Sequence, residues 1–294
     1  MILVTGATGT VGRALLPRLL ERGEDVRVLV RDPRGLGRMR VDVRITLGDL
    51  VELSDRRVVR QALRGVDTVI HLAAAIRDQP GAKVEELNGL ATARLLRGAE
   101  QASVRRFVFF SAIGATEFQR TRFFRAKALA ERAVIESDLE TTVFAPSIVY
   151  DGADPWVKIQ RRLALLPAIL ISGRGEAEFE PIWAADVARC VLADLDRGAG
   201  SRRHELAGPQ RLSYNGMARE IARAWRRERP LLHVPLSFVH GWLAGLRRVV
   251  GDAAFATWEE AELMEVAMVA ERGDADARAL GVEPRAMGEV LALA

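Results

Sequence analysis

The sequence predicts an α/β fold, a doubly wound parallel sheet followed by a smaller C-terminal α+β lobe. Three observations predict it. Short continuous apolar runs alternate with longer helical patterns through the first 150 residues, a glycine-rich turn joins the first run to the first helix, and this regularity falls after Pro146.

The apolar runs at 2–4, 26–30, 44–47, 68–72, 106–110 and 141–144 read as strands. They are continuous rather than alternating, as parallel strands covered on both faces should be. Val11, Leu15, Leu16, Leu19 and Leu20 share one helical face, which Gly23 closes. Pro17 lies inside that helix and is expected to kink it. Ser54 is the expected N-cap of a helix reaching Leu63, and 83–101 and 125–137 read as two more helices. The turn chemistry of Asp151-Gly152-Ala153-Asp154-Pro155 marks the expected boundary between a first domain, 1–150, and a lobe, 151–294, that is not an independent domain. Helices are expected in that lobe near 156–166, 184–196, 213–225 and 259–270, with short strands at 178–181, 203–207 and 231–234.

Composition narrows the classes of function. One cysteine, Cys190, excludes a disulfide framework and a multi-cysteine zinc site, and suits a reducing, cytoplasmic setting. The four histidines, His71, His204, His233 and His240, show no metal-ligand spacing, so no metal and no catalytic histidine is expected. The first residues lack the basic-then-apolar pattern of a leader. The longest apolar candidate, 163–171, is too short to span a bilayer and contains Pro167. Net charge is +4, and the arginines are spread among acids. The short cluster Arg226-Arg227-Glu228-Arg229 reads as a solvated helix end rather than a nucleic-acid site. The apolar stretch 236–250, with Trp242 and Arg247-Arg248, could lie on a membrane surface or a protein partner. A helix packed on the core or in a dimer is the favoured reading of it.

Thr5-Gly6-Ala7-Thr8-Gly9-Thr10-Val11-Gly12 follows the first strand and opens the first helix. Glycines there allow a tight turn, close approach of a pyrophosphate and close helix–strand packing, while the helix N-terminus offers free N–H groups to phosphate. The spacing is G-x-x-G-x-x-G, a weaker signal than G-x-G-x-x-G, but the flanking strand and amphipathic helix supply the context of a Rossmann-type dinucleotide site. At the end of the second strand stands Arg31, where an acid commonly holds the ribose of NAD. A guanidinium there favours the 2′-phosphate of NADP, and Arg13 is near enough in sequence to join it. Asp32 keeps NAD open.

These residues resemble the short-chain dehydrogenase/reductase superfamily in its extended and atypical branches. The likeness extends to Gly48-Asp49-Leu50, similar to the adenine-contacting aspartate, and to His71-Leu72-Ala73-Ala74-Ala75, similar to the small-residue turn beside the adenine ribose. Phe107-Val108-Phe109-Phe110-Ser111 resembles the fifth strand ending in a serine, and Pro146-Ser147-Ile148 resembles the turn beside the nicotinamide. Within the superfamily, Phe179-Glu180-Pro181-Ile182-Trp183 ahead of Asp186-Val187 looks most like NmrA-like proteins and the nucleotide-binding accessory subunit of respiratory complex I.

The resemblance implies a Tyr-x-x-x-Lys pair on the helix after the fifth strand. A tyrosine and lysine four residues apart share one helical face, and the lysine lowers the phenol pKa for proton exchange with a carbonyl. This chain instead has Phe123-Phe124-Arg125-Ala126-Lys127. Phe123 moves no proton. Lys127 is informative because only three of the 43 basic residues are lysines, and a compact ammonium suits ribose hydroxyls. Ser111 is the family serine on one alignment of its loop; on another that position falls at Ile113.

Two functions follow. The first is an NADPH-dependent reductase of a small activated substrate, such as a quinone, enone or carbonyl, that works without the tyrosine and uses Lys127, with Ser111 as second catalytic candidate. The second is a non-catalytic NADPH-binding protein with a structural, assembly or redox-sensing role, like the complex I accessory subunit.

Overall fold

The computed structural model describes residues 1–79, 81–198, 200–235 and 258–293, with the backbone alone for 258–260. The expected apolar segment 236–250 lies outside the described residues.

Seven strands form one parallel sheet: β1 (Ile2–Thr5), β2 (Val26–Val30), β3 (Arg44–Leu47), β4 (Thr68–His71), β5 (Arg106–Phe110), β6 (Glu140–Pro146) and β7 (Arg202–Leu206). Their order is β7-β6-β5-β4-β1-β2-β3. The order reverses between β1 and β4, where Ile2 stands opposite both Val26 and Thr68. A crevice opens at the carboxyl ends of the strands at such a reversal.

Helices cover both faces. On one, α1 (Thr10–Glu21) packs Leu15, Leu16 and Leu19 against Val187, Cys190 and Val191 of a later helix, and these residues share one core cluster with β1 and β2. Helix α1 runs on through Pro17, and Gly23, at φ +74°, turns the chain left-handed just beyond its end. On the other face, α2 (Arg56–Leu63), α3 (Ala91–Gln101) and α4 (Arg122–Ile135) bury Val59, Leu63, Leu95, Leu96, Ala130 and Val134 beside Phe107 and Phe109 of β5. The N-cap of α2 is Asp55, not Ser54. The Asp55 carboxylate accepts from the Arg57 N–H at 2.7 Å, and Ser54 ends a short 3-10 turn. A carboxylate placed one residue later outcompetes the hydroxyl because it accepts a charge-assisted bond. The helix expected from 83 begins as a π turn over Glu86–Leu90. Helix α4 starts a turn earlier than its apolar pattern suggested, so Phe123 and Lys127 share it.

After Pro146 come α5 (Pro155–Leu163), α6 (Ala184–Asp196) and α7 (Tyr214–Ala224). Three two-stranded ribbons accompany them, pairing Val149–Tyr150 with Ile182–Trp183, Glu178–Phe179 with Leu212–Ser213, and Ile169–Ser172 with Leu231–Val234. The strand expected at 178–181 is confined to Glu178–Phe179, and a second short strand follows at Ile182–Trp183. The helix expected over 259–270 is confined to Trp258–Leu263. The chain beyond it runs along Glu178–Glu180, where the Met268 N–H reaches the Glu178 carbonyl and the Ala270 N–H reaches the Glu180 carboxylate.

The turn at 151–155 does not part the sheet from the rest. Strand β7 pairs with β6 in register Leu206 to Pro146, and α6 covers the sheet beside α1. An Arg106–Asp194 ion pair of 2.5 Å, both side chains buried, ties α6 to β5, and the Thr142 hydroxyl donates to the same carboxylate. The chain after residue 150 is thus shared between the sheet and a lobe whose core includes Tyr150, Phe179, Tyr214, Met217 and Met287. Among the described residues no helix is long and apolar enough to cross a membrane.

Candidate functional site

The carboxyl ends of β1, β2, β4, β5 and β6 bring most of the candidate residues to one edge. Thr5 closes β1, and the glycine turn follows. Gly6 sits at φ +72°, and a Cβ there would stand 2.6 Å from the Ala73 nitrogen. A Cβ on Gly12 would fall on the Gly6 carbonyl oxygen and 2.6 Å from Ala7 Cα. Both glycines are therefore required by close backbone packing. Gly9 differs. It is exposed, its φ of −75° suits any residue, and an added Cβ would meet the Gly6 oxygen at 3.2 Å. Its lack of a side chain keeps open the space in front of α1. Helix α1 has neither a side-chain cap nor an acid in its first turn. Uncapped N–H groups behind an open glycine fit a pyrophosphate.

Around this turn, Thr8 closes on the loop after β2, where a Cβ on Gly35 would lie 2.9 Å from the Thr8 methyl. Thr10 and Val11 are half-buried on the first turn of α1 and Arg13 is exposed there. Arg31 is exposed at the end of β2, and its guanidinium reaches Gln79 at 3.4 Å. Asp32 spends one carboxylate oxygen on the Arg34 N–H at 2.9 Å and so starts a 3-10 turn. Asp49 likewise accepts from the N–H groups of Val51 and Glu52, with Leu50 half-buried beside it.

The turn after β4 is held from two sides. The Ala73 N–H donates to Thr5 Oγ1 at 3.3 Å, and Ala75 exchanges both backbone groups with the Asn88 side chain at 3.0 and 2.7 Å. Ala74 between them is exposed. Beneath lies His71, bonded to Thr5 and Thr92. Burial, with the charge of Lys127 adding to it, pushes the imidazole pKa down to about 3, so the ring is neutral. The loop after β5 reaches β6, where the Ile113 N–H donates to the Pro146 carbonyl at 3.0 Å. Ile148 turns away into the lobe, its carbonyl accepting from Ile182.

Lys127 is 4% exposed, and its Nζ sits 4.5 Å above the centre of the Phe109 ring. Burial lowers its pKa to about 7, against the opposing pull of Glu131. Glu131 lies one turn further along α4, but its carboxylate is engaged elsewhere. The Ser111 hydroxyl donates to one oxygen and Arg203 of β7 to the other at 2.8 Å. Among the described residues Lys127 makes no ion pair. Ser111 thus faces Glu131. Phe123, one turn before Lys127, is half-buried and packs edge-on to Phe124. Arg122, the first residue of α4, ties that helix to the loop after β4, bonding Asp78 at 3.0 Å and Glu85 at 2.5 Å.

Several of these residues escaped sequence reasoning. Glu131 stands at i+4 from Lys127, a spacing that was available as a signal. Asn88 and Thr92 are polar residues on the buried face of an otherwise apolar helix, the second available signal. Gly35 and Gln79 carried none, because their neighbours are distant in sequence. Among the described residues no cluster of three or more His, Cys, Asp or Glu side chains could hold a metal ion.

The chain matches the family described as NAD(P)H-binding over residues 6–197. It is 28% identical over 242 residues to the mitochondrial NADH dehydrogenase [ubiquinone] 1 alpha subcomplex subunit 9 of Arabidopsis thaliana, covering 76% of this chain and 58% of that protein. The chain therefore spans little more than half of that relative. It is 29% identical over 231 residues to the (4-alkanoyl-5-oxo-2,5-dihydrofuran-3-yl)methyl phosphate reductase of Streptomyces griseus subsp. griseus, covering 77% and 74% of the two chains. The fold is also that of the Thermus thermophilus UDP-glucose 4-epimerase solved with NAD, with a TM-score of 0.72, 20% identity and coverage of 99% and 96%.

Proposed function

Because the chain belongs to the NAD(P)H-binding family, with the fold of the extended short-chain dehydrogenase/reductases, we propose that it is an NADPH-dependent reductase of a small activated substrate, a quinone, enone or carbonyl, working without the usual tyrosine. The observation that carries this reading is Lys127. A buried amine with no ion-pair partner costs stability, and such groups concentrate where proton transfer is needed.

The nicotinamide supplies a hydride when bound. The residues proposed to hold the dinucleotide are Thr5, Gly6, Thr8 to Gly12, Arg13, Arg31, Asp32, Asp49, Leu50, Ala73 to Ala75 and Pro146, while Ile148 packs on the lobe core instead. Lys127 then has two tasks. Its Nζ donates to ribose hydroxyls, and near pH 7 it both holds and releases a proton. Because Ser111 and Arg203 occupy Glu131, no tight ion pair pins that proton on the ammonium. Ser111 serves by fixing Glu131. The lobe beyond residue 150 contributes the substrate-facing wall, and a reducing cytoplasm suits the one buried thiol, Cys190.

Arg31 is proposed to select the 2′-phosphate, since Asp32 is already engaged in a turn. NADPH should bind more tightly than NADH, and Arg31→Ala should erase that preference. The expected loss is about 1–2 kcal/mol, the scale of a charge-assisted bond at an exposed site. Fluorescence titration with both nucleotides checks it, and equal affinities in the unaltered protein would refute it.

A second reading, a nucleotide binder without turnover, is favoured by Phe123 and by the likeness to a respiratory-complex subunit. NADPH oxidation against a panel of quinones, enones and carbonyls separates the two. Phe123→Tyr restores a phenol one helical turn before Lys127. In the reductase reading it should raise carbonyl reduction by about a hundredfold, the lower end for a general acid. No oxidation by either protein on any panel member would favour the binder.

A further inference from the structure

Thr5 from β1, His71 from β4, and Asn88 and Thr92 one helical turn apart ahead of and within α3 form one buried hydrogen-bonded series, each residue no more than 2% exposed, in which Thr92 reaches Asn88 through the Asn88 backbone carbonyl. The direction of each bond is set by the proton count. The Thr92 hydroxyl has one proton, and it lies 2.6 Å from the Asn88 carbonyl, to which it donates. Thr92 must therefore accept from His71 Nε2, 3.0 Å away. A neutral imidazole protonated at Nε2 has a bare Nδ1, and the Thr5 hydroxyl donates to it at 2.7 Å. Thr5 Oγ1 then accepts from the Ala73 N–H. At the other end, the Asn88 side chain grips Ala75 through both its backbone groups and donates also to the Val84 carbonyl at 2.8 Å.

The series thus begins and ends on the turn after β4, and it passes through the last residue of β1. It clamps Ala73 and Ala75 and leaves the exposed Ala74 between them, at the point where a Gly6 side chain would collide with Ala73. The fixed backbone groups at its two sides, the Ala73 N–H and the Asn88 carbonyl, set the direction, and the neutral His71 ring is the link that joins the two hydroxyls, accepting at Nδ1 and donating at Nε2.

We propose that His71 is a positioning residue for dinucleotide binding, whose Nε2-protonated ring joins Thr5 to Thr92 and so locks the Ala73–Ala75 turn against the glycine loop. This rests on the reading of that edge as the nucleotide site. His71 is a positioning residue and not a ligand contact; it acts through Thr5 on one side and through Thr92, which bonds Asn88, on the other. The stacking of the ring on Phe109, with centroids 6.1 Å apart, fixes its plane.

The test compares NADPH affinity in three variants of the full chain, with the imidazole tautomer read in the unaltered protein. His71→Phe keeps the aromatic stack and removes both ring bonds. It should weaken NADPH at least tenfold while NADPH-free thermal unfolding stays cooperative. Thr92→Val keeps side-chain shape and removes the acceptor at Nε2 together with the hydroxyl's own bond to the Asn88 carbonyl, which already serves the helix backbone, and it should weaken NADPH about fivefold, a typical net loss for one buried bond. Gly9→Val is the control for the site. Nitrogen-15 NMR at pH 7 should show one histidine as the Nε2–H tautomer, its signal absent from His71→Phe. A different tautomer for that signal overturns the proposal. So does Thr92→Val with unchanged affinity, which serves as the deciding variant if His71→Phe does not fold. Loss of binding in Gly9→Val with normal binding in Thr92→Val removes this proposal and leaves the site reading standing. Normal binding in Gly9→Val removes both.

Discussion

Gly9→Val is expected to abolish NADPH binding while leaving the protein folded. The backbone at Gly9 is extended, at φ −75° and ψ 178°, so valine adds no dihedral strain there, and its one tight contact asks the loop to give by a few tenths of an ångström. The residue is exposed, and the nearest atom an added Cβ meets is the Gly6 carbonyl oxygen at 3.2 Å. The valine methyl groups instead fill the space before the uncapped end of α1. A pyrophosphate kept from that end loses at least two charge-assisted bonds, about 4 kcal/mol, or about a thousandfold in affinity. Gly12→Val is expected to fail differently. Its Cβ overlaps backbone of Gly6 and Ala7, which cannot move without parting α1 from β1. Circular dichroism melting should therefore separate the two, with Gly9→Val melting near the unaltered protein and Gly12→Val losing the cooperative transition. Tight NADPH binding by folded Gly9→Val would place the nucleotide elsewhere.

The second large effect lies at Lys127 and depends on pH. Its pKa is about 7 in the folded protein and 10.5 in an ordinary lysine. Between these values the unfolded chain holds a proton that the folded chain has lost. Stability then rises with pH, by about 1.4 kcal/mol per unit. Below pH 7 both states carry the charge, and the folded protein bears the full cost of burying it. Lys127→Met removes this dependence while filling similar space. Urea unfolding at pH 6 should find the variant more stable than the unaltered protein, by on the order of 5 kcal/mol. The gap should close as pH approaches 10. Titrating groups that do not couple to Lys127 cancel in the difference, and His71, which does, stays neutral across this range. Parallel stability curves for the two proteins would mean that Lys127 is solvated, and the proton role proposed for it would fall with that result. Turnover, where present, should decline above pH 7 as Nζ loses its proton, and the variant should be about a hundredfold slower or worse at saturating NADPH.

Much of this was legible in the chain itself. The parallel strands announced themselves as continuous apolar runs because both faces of the sheet are covered, and β3, at the sheet edge, has Ile45 and Leu47 exposed. The glycine turn was legible by its spacing between strand and helix; the demand on Gly12 is local, from Gly6 and Ala7, whereas that on Gly6 comes from the distant turn at Leu72–Ala73. Lys127 stood out by residue type, and Phe123 by its spacing from it. What the tertiary structure decided is which side chains meet across long separations. Residues 202–206 pair with β6 and complete the sheet, although a local turn at 151–155 suggested a boundary. Glu131 is turned from Lys127 towards Ser111 and Arg203, 20 and 72 residues away. His71 reads as an ordinary strand end until Thr5 and Thr92 close on its two nitrogens. Periodicity reports which face of an element is buried, because burial follows from each element's own geometry. The partner of a buried polar group, and with it the pKa of Lys127 and the tautomer of His71, depends on how separate elements dock, which no local pattern encodes.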